Sequence, residues 1–272
     1  MIEATVGLPL YRGQHIAWLA LESLCKQRTT IEWELIIAEE LGNDEFGKEK
    51  VYSYAGRLGK ANCKRIIYSG LKKWVPLSDK IVLLIRKASP TSKVFIYQGA
   101  DNYSKSTRVQ ESYDLIVNHR NDYITSQIGA MYNIYTEQVF IYDVRKLYDS
   151  TKLTTGWDQA FSIDLLKKLK SIGKKEGIDK WLTEAAKEAK LGSPLKFFYN
   201  NHPSWNEGFH THGINNITLH RFLRKVHKLR YNAPKKYKYD FKKQVPLEIV
   251  DKLKTIKNYC RCGKEIPSWL GR

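Results

Sequence analysis

Residues 94–101 read Val-Phe-Ile-Tyr-Gln-Gly-Ala-Asp, and the fold follows from this stretch. A strand-like apolar run, Val94–Tyr97, passes through Gly99 and Ala100 to one carboxylate, Asp101, followed by Asn102 and Tyr103. In an open α/β sheet, a carboxylate at the C-terminal end of a strand stands where such sheets bind ligands. Strand-like and helix-like segments alternate before it. Thr5–Leu8 reads as a first strand ending at Pro9, and Gln14–Gln27 carries apolar residues at helical spacing. Glu32–Ala38 is a second strand closed by Glu39-Glu40, and Lys48–Leu58 can form a helix. Arg65–Tyr68 is a third strand, and Leu77–Ala88 a helix with Ser78 or Asp79 near its N-cap. After the fourth strand, Val94–Tyr97, a helix is expected over Ser104–Val117, opened by its serine. Four strands alternating with four helices predict an α/β fold, with a mostly parallel sheet and helices on both faces.

The second half is less regular. Tyr123–Ser126, Met131–Tyr135 and Gln138–Tyr142 read as strands, Trp157–Ile172 and Asp179–Lys190 as helices, and Leu195–Tyr199 as a strand. With 272 residues and 42% hydrophobic content, the chain can bury a sizeable core. It has no apolar run of about 18 residues, so no transmembrane segment is expected. The N-terminus lacks a basic, then apolar, leader pattern, so a cytoplasmic protein is expected. Four cysteines are too few for a disulfide scaffold. Cys260 and Cys262 form the one close pair; a structural zinc needs about four ligands, so reduced thiols are the better reading.

The net charge of +18 is unevenly placed. Residues 1–219 hold 30 Lys and Arg against 24 Asp and Glu, whereas residues 220–264 hold 15 against 3. This divides the chain into a domain over 1–219 and a basic, aromatic-rich C-terminal extension over 220–272. Lys235 and Lys236, with tyrosines around them, suit an anionic partner: a nucleic acid, whose bases the aromatics could stack, or anionic lipid. The extension has no long amphipathic apolar face, which favours nucleic acid over lipid.

The opening residues resemble a known family. "TVGLPLYRGQHIAWLALESLCKQ" followed by "EWELIIAEELG" looks like the start of family-2-type glycosyltransferases with the Rossmann-like GT-A fold, some of them virus-encoded. The resemblance runs over about residues 4–170. It rests on a strand ending at Pro9, Tyr11 in the following turn, Leu21–Gln27 and the acidic pair Glu39-Glu40. It implies a hexosyltransferase-type enzyme, in the host cytoplasm if viral, using a nucleotide-sugar donor, UDP-linked by expectation. Glu39 or Glu40 would hold the base or ribose, and Lys80 or Arg108 could neutralise diphosphate. The family's Asp-x-Asp motif aligns with Gly99-Ala100-Asp101, so one carboxylate is left for a divalent cation, Mn²⁺ or Mg²⁺. His212, with His210 behind it, is the candidate second metal ligand; five of the seven histidines lie between 202 and 227.

Gly156-Trp157-Asp158-Gln159 resembles the stretch that carries the catalytic base of inverting members. Asp158 would take the proton of the acceptor hydroxyl, and Trp157 would stack on a sugar or base face. Asp164, six residues on, does not share its helical face. The expected acceptor is a surface glycan, lipid or glycoprotein. One alternative is a hydroxymethylated base in DNA, held by Lys235 and Lys236. Another, motivated by Gly99, is a non-catalytic nucleic-acid-binding protein on a decayed GT-A scaffold.

Overall fold

The computed structural model describes residues 1–126, 128–133, 138–143, 159–168, 197–200, 209–212 and 246–255, apart from Arg12, His15, Asn43 and Asp44. Its first half runs β1 (Ala4–Leu10), α1 (Ala17–Cys25), β2 (Trp33–Glu40), α2 (Lys48–Tyr52), α3 (Ala55–Lys60), β3 (Cys63–Leu71), α4 (Leu77–Lys87) and β4 (Val94–Tyr97). Then come β5 (Asn102–Tyr103), α5 (Arg108–Tyr113), a π-helical turn (Asp114–Asn118), β6 (Tyr123–Ser126), β7 (Ile128–Asn133) and β8 (Gln138–Asp143). The remainder is β9 (Ala160–Ser162), α6 (Ile163–Lys168), β10 (Phe197–Asn200), β11 (Phe209–His212) and α7 (Leu247–Thr255). The main sheet has the order β10-β6-β9-β4-β1-β2-β3, and a smaller one the order β5-β11-β7-β8. Strands β4, β1, β2 and β3 are mutually parallel, so their C-terminal ends share one edge.

The period-two alternation of β2 explains its two covered faces. Trp33, Leu35 and Ile37 pack with Val6, Leu8 and the α1 residues Trp18, Leu21 and Leu24. Ile36 and Ala38 pack on the other face with Ile81, Leu84 and Ile85 of α4 and with Phe95. Gly7 lets Phe95 cross that face, since a Cβ there would lie 2.3 Å from its Cζ. Pro9 lies inside β1, not at its end, paired with Ala38. Gly7 O accepts from Gln98 N beside the end of β4. Two residues on, Pro9 faces the same side, where β4 has already ended and no ladder donor is needed.

Several expected elements change. The single helix over 48–58 is two, α2 and α3; at the break the Ser53 hydroxyl donates to Lys50 O at 2.7 Å. Pro76, not Ser78 or Asp79, occupies the N-cap of α4. Helix α5 starts at Arg108, because the Ser104 hydroxyl donates to Gln98 Oε1 instead of capping a helix. The helix expected from Trp157 starts at Ile163, and Ala160–Ser162 before it form β9, antiparallel to both β4 and β6. A short apolar run fits a buried strand as well as a helix, and here non-local pairing decides. The helix expected over 179–190 lies outside the described residues.

Within the basic extension, α7 packs against α1. Ile249 and Leu253 are buried in the apolar layer that contains Trp18 and Leu21. Glu248 pairs with Lys26 at 3.1 Å, and Lys252 Nζ lies 4.2 Å from the Trp18 ring centroid.

Candidate active site

The shared C-terminal edge of β1, β2 and β4 gathers Tyr11, Glu39, Glu40 and the Gly99-Ala100-Asp101 turn. Most of the acidic pair is already engaged by protein groups. Glu39 is fully buried; its carboxylate accepts from Phe46 N at 2.6 Å, Gly47 N at 3.0 Å and the Tyr68 hydroxyl at 2.7 Å. Burial first, and then that bond to Glu39, pushes the Tyr68 phenol above its ordinary value. Glu39 therefore organises the loop after β2. Glu40 pairs with Lys80 at 2.5 Å and accepts from Val75 N at 3.2 Å. Lys80 is buried, donates to Leu10 O at 3.1 Å, and lies 5.5 Å from the Tyr11 ring centroid. The pair thus ties together the ends of β1 and β2 and the start of α4. Removing either member would leave a buried charge uncompensated.

The turn carrying Asp101 is held from beneath. The buried Gln98 amide donates to Gly99 O at 3.1 Å and Asn102 O at 3.0 Å. Its Oε1 accepts from Ser104 Oγ at 2.6 Å and from Arg108 at 2.9 Å, and Arg108 also donates to Tyr97 O at 2.5 Å. Arg108 is buried and braces the turn. Sequence reasoning missed Gln98, although a polar residue directly after a buried strand is the signal that could have found it. Gly99 is where a Cβ would lie 2.7 Å from Asn102 Nδ2, so a first carboxylate of the motif has no room unless Asn102 moves. Asp101 itself is half-buried.

The smaller sheet brings the late histidine strand to this turn. His210 of β11 pairs with Asn102 of β5. That antiparallel pairing ends at Asn102, where β5 begins; His212, two residues further along β11, pairs with Asn133 of β7. Among the described residues no group of three or more His, Cys, Asp or Glu could hold a metal. Asp101 nevertheless fits a cation that arrives with a diphosphate, since Mg²⁺ commonly takes one or two carboxylates and completes its shell with phosphate oxygens and water.

Asp158, Trp157, Lys235 and Lys236 lie outside the described residues. The residue after Asp158 is described: Gln159 is buried, its carbonyl accepting from Tyr97 N at 3.0 Å. The chain therefore enters β9 at the edge that carries Asp101, and Asp158 precedes a strand, not the helix expected. Asp164 follows β9 at the opposite edge, where Ile163 N donates to Lys93 O.

No protein-family profile and no curated protein sequence matches the chain. Solved structures do. S. aureus TarS is similar at 15% identity with a TM-score of 0.54, over 96% of this chain and 44% of TarS. The chain thus spans less than half the length of that protein. TarS 1–349 in complex with UDP-GlcNAc gives 14% identity and a TM-score of 0.55, over 96% of this chain and 74% of that one. The mannosyltransferase PcManGT from Pyrobaculum calidifontis, in complex with GDP-Man and Mn²⁺, gives 11% identity and a TM-score of 0.57, over 94% and 69%. Likeness at such identities speaks for architecture, and the architecture is that of the GT-A glycosyltransferases.

Proposed function

We propose that the chain is an inverting glycosyltransferase that moves a sugar from a nucleotide sugar to an acceptor hydroxyl. The supporting observation is the meeting of Tyr11, Glu40-Lys80 and Asp101 at one edge of a GT-A sheet. The donor's nucleoside would lie across the ends of β1 and β2, beside Pro9 and Tyr11, with Glu39 shaping the loop around it. A divalent cation bound with the donor would be held by Asp101, with His212 as second ligand, and would supply electrostatic stabilisation of the diphosphate. The acceptor oxygen attacks the anomeric carbon as the bond from that carbon to the diphosphate oxygen breaks. The bonding electron pair leaves with the nucleoside diphosphate, and the acceptor proton passes to the Asp158 carboxylate. Trp157 would pack on the sugar or acceptor.

UDP- and GDP-linked donors are the first to try, because the similar solved structures hold UDP-GlcNAc and GDP-Man. A surface glycan, lipid or glycoprotein is the acceptor class favoured, in a cytoplasmic setting. A DNA acceptor rests on the charge of the basic extension, Lys235 and Lys236 within it.

The test is nucleotide release from a panel of UDP- and GDP-sugars with Mn²⁺ or Mg²⁺. Turnover is expected with one nucleotide class. Asp101→Ala, checked for folding by circular dichroism, should lower turnover by about 100-fold or more. No turnover and no thermal shift with any donor would overturn the proposal, as would unchanged turnover in folded Asp101→Ala.

A further inference from the structure

Among the described residues the exposed large hydrophobic side chains are few, and four of the seven gather at the rim of this edge. Trp74 is 59% exposed, Tyr11 45%, Leu41 44% and Leu77 39%. Hydrogen bonds and packing place them together. Leu41 N donates to Leu71 O, and the Leu41 side chain lies over Gly70, where a Cβ would sit 2.9 Å from its Cδ2. Val75, next to Trp74, donates to Glu40, whose partner Lys80 lies under the Tyr11 ring. Exposed Lys72 and Lys73 precede Trp74, and no acidic residue lies between Leu71 and Leu77. Of the neighbouring carboxylates, Glu40 is paired with Lys80, Glu45 accepts from Gly42 N at 3.1 Å, and Asp79 lies in the first turn of α4.

We infer that this rim, centred on Trp74, seats on an anionic lipid surface. Isolated exposed apolar residues are ordinary on a soluble protein, but a cluster marks an interaction site. Tryptophan favours the membrane–water interface, and lysines beside it are drawn to anionic headgroups. Leu41 and Leu77 decide between lipid and nucleic acid: a single strand stacks on aromatic rings and pairs with lysines, but aliphatic side chains gain nothing from its phosphates. No described helix is long and apolar enough to cross a membrane. If the glycosyltransferase reading holds, the rim delivers the donor site to a lipid-linked acceptor hydroxyl at the bilayer surface. Lipid binding itself does not depend on that reading.

The experiment is co-sedimentation of the full chain with vesicles of phosphatidylcholine, with and without phosphatidylglycerol. Binding is expected only with the anionic lipid. Trp74→Ala/Leu77→Ser and, separately, Lys72→Glu/Lys73→Glu should each weaken it about tenfold, with circular dichroism and acceptor-free donor turnover unchanged. The paired variants separate the rim from the basic extension, which would bind through charge alone. The inference is overturned by absent vesicle binding or by binding that the rim variants leave intact. It is equally overturned if Trp74→Ala abolishes binding to a single-stranded oligonucleotide or a concentration-dependent dimer while vesicles are ignored. Loss of vesicle binding in the wild type with donor turnover intact would refute the rim and spare the enzyme; the reverse pattern would do the opposite.

Discussion

Gly99 decides how much of the metal-binding motif this chain can rebuild. An aspartate there would need the space of the Asn102 side chain, 2.7 Å from the added Cβ. The Asn102 side chain has little room to yield, because the residue is buried on a backbone fixed by its pairing with His210. Gly99→Asp should therefore lower stability by about 1–3 kcal/mol, as overpacking does, and should not improve donor turnover. Urea denaturation and the nucleotide-release assay check both, and Asn102→Gly in the same chain should recover part of the loss. Higher turnover in the single variant would mean that the turn opens to accept a second carboxylate. The glycine was legible in the sequence as a departure from the motif. Its cause was not, since the obstructing amide is three residues away in a turn whose shape only Gln98 and Arg108 reveal. Glu39 was legible as a carboxylate at a strand end, but not as the acceptor for two backbone amides and a tyrosine, because those donors follow from where the chain returns.

Elements that carry their own periodicity were readable. β1 to β4, α1 and α4 carry apolar runs or helical patterning, and the structure places them within a few residues of expectation. Elements defined by their neighbours were not: β9 is three residues long and exists because β4 and β6 leave a slot for it. The same holds for the contact between α1 and α3, joined by Glu22 and Arg57 at 2.9 Å. The Arg57 guanidinium holds the Glu22 carboxyl below its usual range, against the opposing effect of burial. A carboxyl depressed in the folded state contributes stability above its unfolded value, near pH 4.3, and loses it as pH falls through the lower folded value. Arg57 is half-exposed, so screening limits the contribution. Arg57→Met should thus cost about 0.5–1 kcal/mol at pH 7, and the gap to wild type should close as pH falls below about 4. Urea unfolding across that range checks it; a gap that persists in acid would assign the effect to packing.

At the scale of the whole molecule, charge and packing divide the chain differently. Charge sets residues 220–272 apart as a basic extension. Packing returns α7 to the domain, because Ile249 and Leu253 are buried against the layer formed by α1. The sequence hid this, since a lysine-rich helix with a few apolar positions looks solvated until its partner face is known. The consequence bears on any attempt to test the extension by deletion. Ending the chain at residue 219 removes two fully packed aliphatic side chains and uncovers Trp18, which Lys252 covers. Each buried aliphatic side chain contributes about 1.5–3 kcal/mol, against a typical total of about 5–15 kcal/mol. The truncated chain should therefore show a markedly lower urea midpoint, and any lost affinity would reflect unfolding as much as missing charge. Reversing Lys235, Lys236 and Lys238 to glutamate while keeping α7 should leave the unfolding free energy within about 0.5 kcal/mol of wild type, and so the midpoint nearly unchanged. If truncation at 219 leaves the midpoint unchanged, α7 adds nothing to the domain. If the charge reversal alone lowers it, the basic segment is part of the packed structure and not a surface for an anionic partner.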